Sequence, residues 1–344
     1  MPTTDQPRDL PEFLARFGTD EACRAHLFSV RWPDGFRCRD CDGPRCYPHS
    51  KRLIYECPQC GAQNSLLAGT IFEQTKTGLS KWFLEIYLFM SSKGGISAVE
   101  LGRQLGFRSQ QTAFTWLHKL RHAMSVRGAA LEGRVEVDES FLGGPKPGKR
   151  GRGAAGKTLL AAAVETRLVA VEAPDPSPLR GVARSRAEGL VERLAAAARE
   201  GVEITRSRLG RVRLAVIGDA KAKTLEQFME TAIVPASKVA TDGHGGYLGL
   251  GRRGFEHERI VVSRSGGPAH EVLPAVHLVF TLLKRWMLGT YHCTPAGRHL
   301  PAYLDEFVFR FNRRSLPPAG RSLRLVARAM ETLPITNRMI LGHA

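Results

Sequence analysis

Residues 135–139 read Val-Glu-Val-Asp-Glu, and this stretch decides the class of the fold. Its apolar and acidic side chains alternate, as in a strand in which Glu136 and Asp138 share one face and Glu139 points to the other. A carboxylate among apolar neighbours needs a partner or a metal ion. The stretch therefore predicts a strand that carries a candidate metal-binding carboxylate, Asp138.

The chain beyond this stretch alternates between strand-like and helix-like segments. Strands are predicted at 159–164, 211–217 and 238–241, and helices at 224–233 and 270–288. Strands followed by helices favour an α/β fold. Residues 165–210 begin with several prolines and continue as an alanine-rich helix, so we interpret them as an exposed insert.

Two later segments carry further candidate site residues. Asp242 follows a predicted strand and precedes a glycine-rich turn, where a metal-binding carboxylate is expected in an open α/β sheet. On the helix predicted at 270–288, His277 and Lys284 are seven positions apart. This spacing corresponds to two helical turns, so the two side chains share one face.

Five of the seven cysteines lie between residues 38 and 60. Cys38 and Cys41 form one C-x-x-C pair, and Cys57 and Cys60 form another, a pattern that fits a tetrahedral Cys₄ zinc site. We predict that Gly35 and Gly61 allow the tight turns at the two pairs. Four thiolates leave no open coordination position, so the predicted zinc ion is structural. The alternative is a redox pair, but no thioredoxin-like βαβ pattern surrounds these cysteines.

A helical pattern follows between residues 80 and 127. Ser80, Ser97 and Ser109 are predicted to cap three successive helices, and Gly106 ends the second of them. A short helix, a glycine turn and a longer helix make a candidate helix-turn-helix. The alternative is an ordinary helical hairpin with a solvated basic face. The second helix carries side chains of the types that contact phosphates and base edges: Gln110, Gln111, Thr115, Lys119 and Arg121.

The charge of the chain is strongly positive, with 50 Lys and Arg against 33 Asp and Glu and a formal net charge of +17. This balance favours a polyanion as partner, although a basic protein without nucleic acid is the alternative. No stretch approaches the roughly 18 apolar residues that a membrane helix requires. We expect contacts with DNA from clustered basic residues: Lys149, Arg150, Arg152, Arg285, Arg310, Arg313 and Arg314.

The ordered motifs resemble those of bacterial insertion-sequence transposases that combine an N-terminal zinc ribbon with an ISXO-like DDE-type catalytic domain. Besides the cysteine pairs, the resemblance rests on Val135-Glu136-Val137-Asp138-Glu139, Thr241-Asp242-Gly243, Leu283-Lys284-Arg285-Trp286, Gly289-Thr290-Tyr291-His292 and Arg310-Phe311-Asn312-Arg313-Arg314. It implies a ribonuclease H-like α/β fold, a mixed sheet flanked by helices. It also implies that Asp138, Asp242, His277 and Lys284 are the catalytic positions.

The resemblance implies a domain order as well. We expect the zinc ribbon at about 33–66 within an N-terminal segment 1–75, the helix-turn-helix module at 76–130, the catalytic domain at 131–318 and a tail at 319–344. The expected partners are double-stranded DNA, namely the terminal inverted repeats and the target, and at least one more copy of the chain. A bacterial cytoplasmic, nucleoid-associated location follows from the same resemblance, with no membrane contact.

The expected reaction is phosphoryl transfer at the ends of a mobile element. Two Mg²⁺ or Mn²⁺ ions, held by Asp138, Asp242 and His277, would serve hydrolytic cleavage and then attack by the freed 3′-hydroxyl on target DNA. Lys284 would bind a DNA phosphate. The alternatives are a catalytically inert, domesticated DNA-binding protein and a zinc-ribbon transcription accessory factor.

Overall fold

The computed structural model describes residues 7–49, 52–125, 128–143, 157–201, 204–260, 272–295 and 297–342. The chain divides into two compact units. The first unit comprises Met1–Gly128, Gly143–Gly156 and Leu283–Ala344, and the second comprises Ala129–Leu142 and Lys157–Leu282. No helix among the described residues combines the length and the apolarity that crossing a bilayer requires.

The first unit contains a small sheet and most of the helices. The sheet is antiparallel, in the order β1-β2-β3. Its strands are Tyr47–Pro48, Ile54–Glu56 and Gln63–Ser65, and the helices before and after it are α1 (Leu10–Phe17), α2 (Asp20–Arg31), α3 (Leu79–Ser91), α4 (Ala98–Leu105) and α5 (Gln110–Met124). One apolar core joins α1–α5 to residues of the C-terminal helices. At its centre, the rings of Trp82 and Trp116 stack at 3.7 Å.

The helix signals of this unit are confirmed at two of three positions. The Ser97 and Ser109 hydroxyls accept hydrogen bonds from the first turns of α4 and α5, and Gly106 ends α4 in the left-handed conformation. The prediction for Ser80 is wrong, because α3 begins at Leu79 after Gly78. The Ser80 hydroxyl and backbone N–H instead donate to Asp20, which lies on α2.

The second unit is built on a five-stranded mixed sheet in the order β6-β5-β4-β7-β8. The strands are β4 (Arg134–Leu142), β5 (Thr158–Ala170), β6 (Thr205–Ile217), β7 (Lys238–Thr241) and β8 (Glu256–Arg259). β4, β5 and β6 pair antiparallel, whereas β7 pairs parallel to both β4 and β8. This is the strand order of the ribonuclease H-like fold, so the expected fold class is confirmed.

Helices lie between and after these strands: α6 (Gly181–Arg199), α7 (Ala222–Ala232) and α8 (Pro274–Tyr291). The division between the units falls within α8, which is followed in the first unit by α9 (Leu300–Asn312), α10 (Pro318–Glu331) and α11 (Asn337–Leu341). Val135 and Val137 belong to the apolar core that also contains Leu225 and Met229 of α7. Glu136 and Asp138 therefore face the other side of the sheet.

The segment predicted as an exposed insert differs from the expectation at both ends. β5 continues to Ala170 and β6 starts at Thr205, so the two strands pair well into residues 165–210. Glu165 is buried and accepts hydrogen bonds from the backbone and side chain of Arg211. The proline-rich loop at 171–180 and the helix α6 match the expectation, because most of their residues are exposed.

Candidate functional site

Two acidic residues occupy neighbouring positions where the pairing of the parallel strands β4 and β7 ends. The register runs from Arg134 opposite Lys238 to Val137 opposite Thr241. The next residue after each of these paired segments is therefore Asp138 on β4 and Asp242 after β7. Backbone N–H groups hold both carboxylates: that of Glu139 donates to Asp138 Oδ1 at 2.8 Å, and that of His244 donates to Asp242 Oδ1 at 3.0 Å. Strand register thus brings two candidate metal ligands together from distant positions in the sequence.

His277 lies beside Asp138 and belongs to the first turns of α8. Its Nε2 atom is 3.7 Å from Asp138 Oδ2, and its side chain is partly exposed. Lys284 follows two turns later on α8, half-buried, and belongs to the first unit. The fold of the second unit thus places His277 beside Asp138.

Glu136 fixes the start of the helix that carries His277. Its carboxylate oxygen Oε2 accepts hydrogen bonds from the backbone N–H groups of Ala275 and Val276, at 2.8 and 3.2 Å. These donors belong to the first turn of α8, which otherwise lacks acceptors. Burial raises the pKa of Glu136, which is only 1% exposed, although both backbone N–H groups and Arg134 oppose the shift. The sequence placed Glu136 and Asp138 on one face but did not reveal this helix contact.

Glu139 anchors the turn after Asp242 from the opposite face of β4. The Tyr247 hydroxyl donates to Glu139 Oε2 at 2.5 Å, and His244 Nδ1 lies 3.6 Å from the other carboxylate oxygen. Burial raises the pKa of Tyr247 well above its usual value, and the carboxylates of Glu139, Asp138 and Asp242 raise it further. The residues around Asp242 therefore experience concentrated negative charge. Sequence reasoning missed this cluster, although Glu139 follows Asp138 directly.

The two carboxylates of this site suit a hard divalent cation, because Mg²⁺ prefers carboxylate oxygens, whereas the imidazole nitrogen of His277 is a donor better suited to transition-metal ions. The donor atoms of Asp138, Asp242 and His277 are farther apart than the ligand atoms of a closed metal coordination shell. Among the described residues, the four cysteines are the one group of three or more potential ligands whose donor atoms all lie within 4.8 Å of one another. An open arrangement of few protein ligands is typical of Mg²⁺, which keeps water or substrate oxygens in its coordination sphere.

The four predicted zinc ligands form a closed group in the first unit. The Sγ atoms of Cys38 and Cys60 are 3.6 Å apart, as are those of Cys41 and Cys57. Sulfurs about 2.3 Å from a central zinc ion would be separated by about 3.8 Å, so the group fits tetrahedral zinc. The backbone N–H of Asp40 is the main cause that lowers the pKa of Cys38 to about 6.

The two cysteine turns are built alike. In each turn, the backbone N–H of the first cysteine donates to the carbonyl of the residue five positions later. The backbone N–H of the residue four positions later donates to the carbonyl of the first cysteine. The fourth residue after the first cysteine is Asp42 in one turn and Gly61 in the other, and both have a positive φ, 57° and 71°. The prediction for Gly61 is met, whereas Gly35 lies in the turn after α2 and Asp42 occupies the equivalent place.

The structure changes the predicted DNA-contacting face of α5. Gln110 and Gln111 are exposed and Lys119 is half-buried, but the Thr115 hydroxyl is buried and donates to carbonyls of its own helix. The prediction for Arg121 is wrong. This side chain is 1% exposed and forms an ion pair with Glu306 at 2.9 Å, so it is not available to a phosphate.

The remaining basic residues fall into three groups. Arg285 and Arg314 are exposed, and Arg313 is half-buried with its guanidinium over the Phe309 ring. The prediction for Arg310 is not supported, because its side chain is 12% exposed and donates to Glu306 and to the carbonyls of Ser92 and Phe89. Lys149, Arg150 and Arg152 lie outside the described residues.

The fold and the cysteine group together define the class, a transposase with an N-terminal zinc ribbon. The chain belongs to the family of the ISXO2-like transposase domain, which matches residues 130–312, more than half of its length. The transposase zinc-ribbon domain matches residues 18–63. These matches confirm the resemblance that the motifs indicated, and the zinc-ribbon match supports structural zinc at the four cysteines.

Two individual proteins are also similar to the chain. An uncharacterized protein in transposable element ISH50 of Halobacterium salinarum is 25% identical over 129 residues, which cover 37% of this chain and 42% of that protein. The chain thus matches less than half of that relative's length. Among solved structures, the Mos1 transposase paired-end complex with the left transposon end is 12% identical, with 73% of this chain and 79% of that chain covered and a TM-score of 0.29.

Proposed function

We propose that the protein is the transposase of an insertion sequence, which binds the terminal repeats of its element and catalyses magnesium-dependent strand cleavage and strand transfer into target DNA. The observation that carries the proposal is the register of β4 and β7. It brings Asp138 and Asp242 to neighbouring positions, with His277 beside Asp138. Family membership supports the same reaction class.

The protein's own residues would perform defined tasks in this reaction. Asp138 and Asp242 would hold the divalent cations through their carboxylate oxygens, with His277 as the third ligand through its imidazole. Mg²⁺ or Mn²⁺ bound there supplies charge stabilisation at the scissile phosphate and acidifies bound water. Glu136 would keep His277 in place through the start of α8, and Glu139 with Tyr247 would hold the turn that follows Asp242.

DNA would be bound by other parts of the chain. Lys284 would bind a phosphate near the reacting strand, since a lysine ammonium is a compact positive charge. The zinc ribbon and the helix pair α4–α5 would recognise the terminal repeats, and Arg285, Arg313 and Arg314 would contact the DNA backbone without reading sequence. Synapsis of two element ends requires at least two copies of the chain, by geometry.

The test is cleavage of a labelled duplex that carries the end of the element, in the presence of Mg²⁺. The wild type should nick the strand at the terminus, and Asp138→Asn and Asp242→Asn should each reduce the rate at least about 100-fold, because each removes a charged metal ligand. The control is Asp175→Asn, which makes the same chemical change at an exposed residue of the loop before α6. It should leave the cleavage rate unchanged.

Two outcomes would contradict the proposal in different ways. Cleavage at the wild-type rate by both active-site variants would show that the catalytic residues lie elsewhere. Specific binding of the element end without cleavage by the wild type, in either Mg²⁺ or Mn²⁺, would instead favour the catalytically inert DNA-binding protein.

A further inference from the structure

The most exposed part of α5 is its first turn. Gln110 and Gln111 are exposed, whereas the middle of the helix is packed into the first unit, with Thr115, His118 and Arg121 all buried. In helix-turn-helix proteins the N-terminal residues of the second helix contact base edges. The exposed first turn is therefore the part of α5 that is best placed to contact base edges.

A cleft of about 420 Å³ opens at this turn. Its lining comes from three separate segments of the first unit: Gln110, Gln111 and Phe114 of α5, Arg298 and His299 before α9, and Leu341 of α11. The rings of Phe114 and His299 meet edge to face at 5.4 Å and form one wall. None of these six lining residues is acidic, so the cleft combines amide groups with positive charge.

Arg298 is held at the edge of this cleft. Its Nε donates a hydrogen bond to His299 Nε2 at 3.0 Å. An arginine is always a donor, so this imidazole nitrogen accepts and His299 is neutral. Burial lowers the pKa of His299, and the charges of Arg298 and Arg121 lower it further. The bond to Nε fixes the plane of the guanidinium, while the side chain as a whole remains exposed.

We infer that the residues around this cleft contact double-stranded DNA, with Gln110 and Gln111 against base edges and Arg298 on the adjacent backbone phosphate. Glutamine amides pair with adenine in the major groove, and the arginine fork matches a phosphate. The inference deepens the proposed function and rests on it for the identity of the DNA. It adds a segment that begins 174 residues after the end of α5 (Met124 to Arg298) to the DNA-reading surface.

The phosphate contact is tested by the affinity and salt dependence of DNA binding. The full-length zinc protein is titrated, without added magnesium, into a fluorescent duplex from the element end and into a shuffled duplex of equal length. Arg298→Ala should weaken binding to both duplexes about tenfold, equivalent to about 1.4 kcal/mol, because it removes one charge-assisted hydrogen bond to a phosphate. The slope of log K against log salt should become shallower by about 0.9.

The matched control is Arg184→Ala, which removes one exposed arginine from α6. It should change affinity less than twofold and leave the slope unchanged. An Arg298→Ala protein that behaves like this control would overturn the phosphate contact. Because a phosphate contact is independent of sequence, this result is readable on the shuffled duplex even if the wild type fails to cleave or to prefer the element end.

The base contacts are tested by discrimination between the two duplexes. Gln110→Ala and Gln111→Ala together should weaken binding to the element end about tenfold and to the shuffled duplex less than twofold, as expected for a lost pairing with a base. Equal losses on both duplexes, or none, would overturn the base-reading role of the cleft. A wild type that cleaves but shows equal losses would reject this inference while leaving the proposed reaction intact.

Discussion

The four-cysteine group and the carboxylate–histidine site differ in how far apart their residues lie in the sequence. The cysteines lie between residues 38 and 60, on two turns with the same hydrogen bonds, and approach one another through a three-stranded sheet. Asp138, Asp242 and His277 come from two strands and a helix spread over residues 138–277. The first site is formed by local turns, whereas the second depends on the register of a whole sheet.

This difference predicts separate responses to damage. A closed Cys₄ site couples its metal to the folding of the ribbon. The carboxylate–histidine site depends instead on buried contacts such as the one between Glu136 and α8. The four tryptophans, Trp32, Trp82, Trp116 and Trp286, all belong to the first unit, so their fluorescence reports on that unit separately.

The largest expected effect is loss of a zinc ligand. Cys57→Ser should abolish stoichiometric zinc binding, because structural zinc sites contribute about 10–16 kcal/mol. Zinc content and hydrogen exchange measure the result: residues 38–65 should lose amide protection while β4–β7 keep theirs. Cys46→Ser is the control, since Cys46 lies outside the four-cysteine group, and it should retain zinc. Retention of one zinc ion by Cys57→Ser would contradict the four-ligand assignment.

The next effect is a pH dependence confined to the first unit. Burial raises the pKa of Asp305, on α9, to about 7, against about 3.9 in an unfolded chain. Because the folded pKa is the higher one, stability is greatest below pH 4 and is lost as pH rises to 7. Asp305→Asn should remove this loss, which is at most about 4 kcal/mol for three pKa units.

Urea unfolding followed by tryptophan fluorescence at pH 5.5 and pH 8 measures this effect. The gain from Asp305→Asn should be larger at pH 8 than at pH 5.5. Asp34→Asn, an exposed change in the same unit, should keep the wild-type pH dependence. A gain from Asp305→Asn that is equal at both pH values would show that burial of the charge is not its cause.

Replacing Glu136 is expected to lower stability less than the changes above but to reduce DNA cleavage clearly. Glu136→Leu leaves the N–H groups of Ala275 and Val276 without their acceptor, at a cost of about 1–3 kcal/mol. Displacement of His277 should reduce cleavage about tenfold or more, while DNA affinity, zinc content and tryptophan fluorescence stay unchanged. Glu136→Gln should lose less, because its amide oxygen still accepts.

The control for Glu136 is Glu172→Leu, the same replacement at an exposed residue of the second unit. It should cleave DNA at the wild-type rate. If Glu136→Leu also cleaves normally, the start of α8 does not need this carboxylate. If Glu136→Leu loses zinc, the two sites are not independent, and the comparison between them is wrong.

The smallest effect is expected at Asp42, which adopts a positive φ where the second cysteine turn has Gly61. Asp42→Gly should stabilise the ribbon by about 0.5–1 kcal/mol, because glycine adopts this conformation without the strain of a side chain. The reverse change, Gly61→Asp, should destabilise it by a similar amount. The temperature at which zinc is released measures both, and opposite signs are required.

Sequence patterns were sufficient where a structure is decided by neighbouring residues. The caps at Ser97 and Ser109, the bounds of β7, and the cysteine group all depend on residues close in the chain. The same reasoning failed for Arg121, which its residue type placed among the DNA contacts. Its partner Glu306 lies 185 positions away, and a local pattern carries no information about a buried ion pair of that separation.

The sequence by itself therefore determined the class of the fold and the zinc ribbon, since both are written in short motifs with their own spacing, and through the family resemblance it nominated the candidate catalytic residues. Only the tertiary structure decided which basic side chains solvent can reach, that Glu136 caps α8, and that Arg298 lies beside the first turn of α5. The physical reason is that strand register and helix packing are set by the sum of many distant contacts. A side chain's neighbours across that packing, rather than its neighbours along the chain, determine whether its charge meets solvent, a backbone N–H or another side chain.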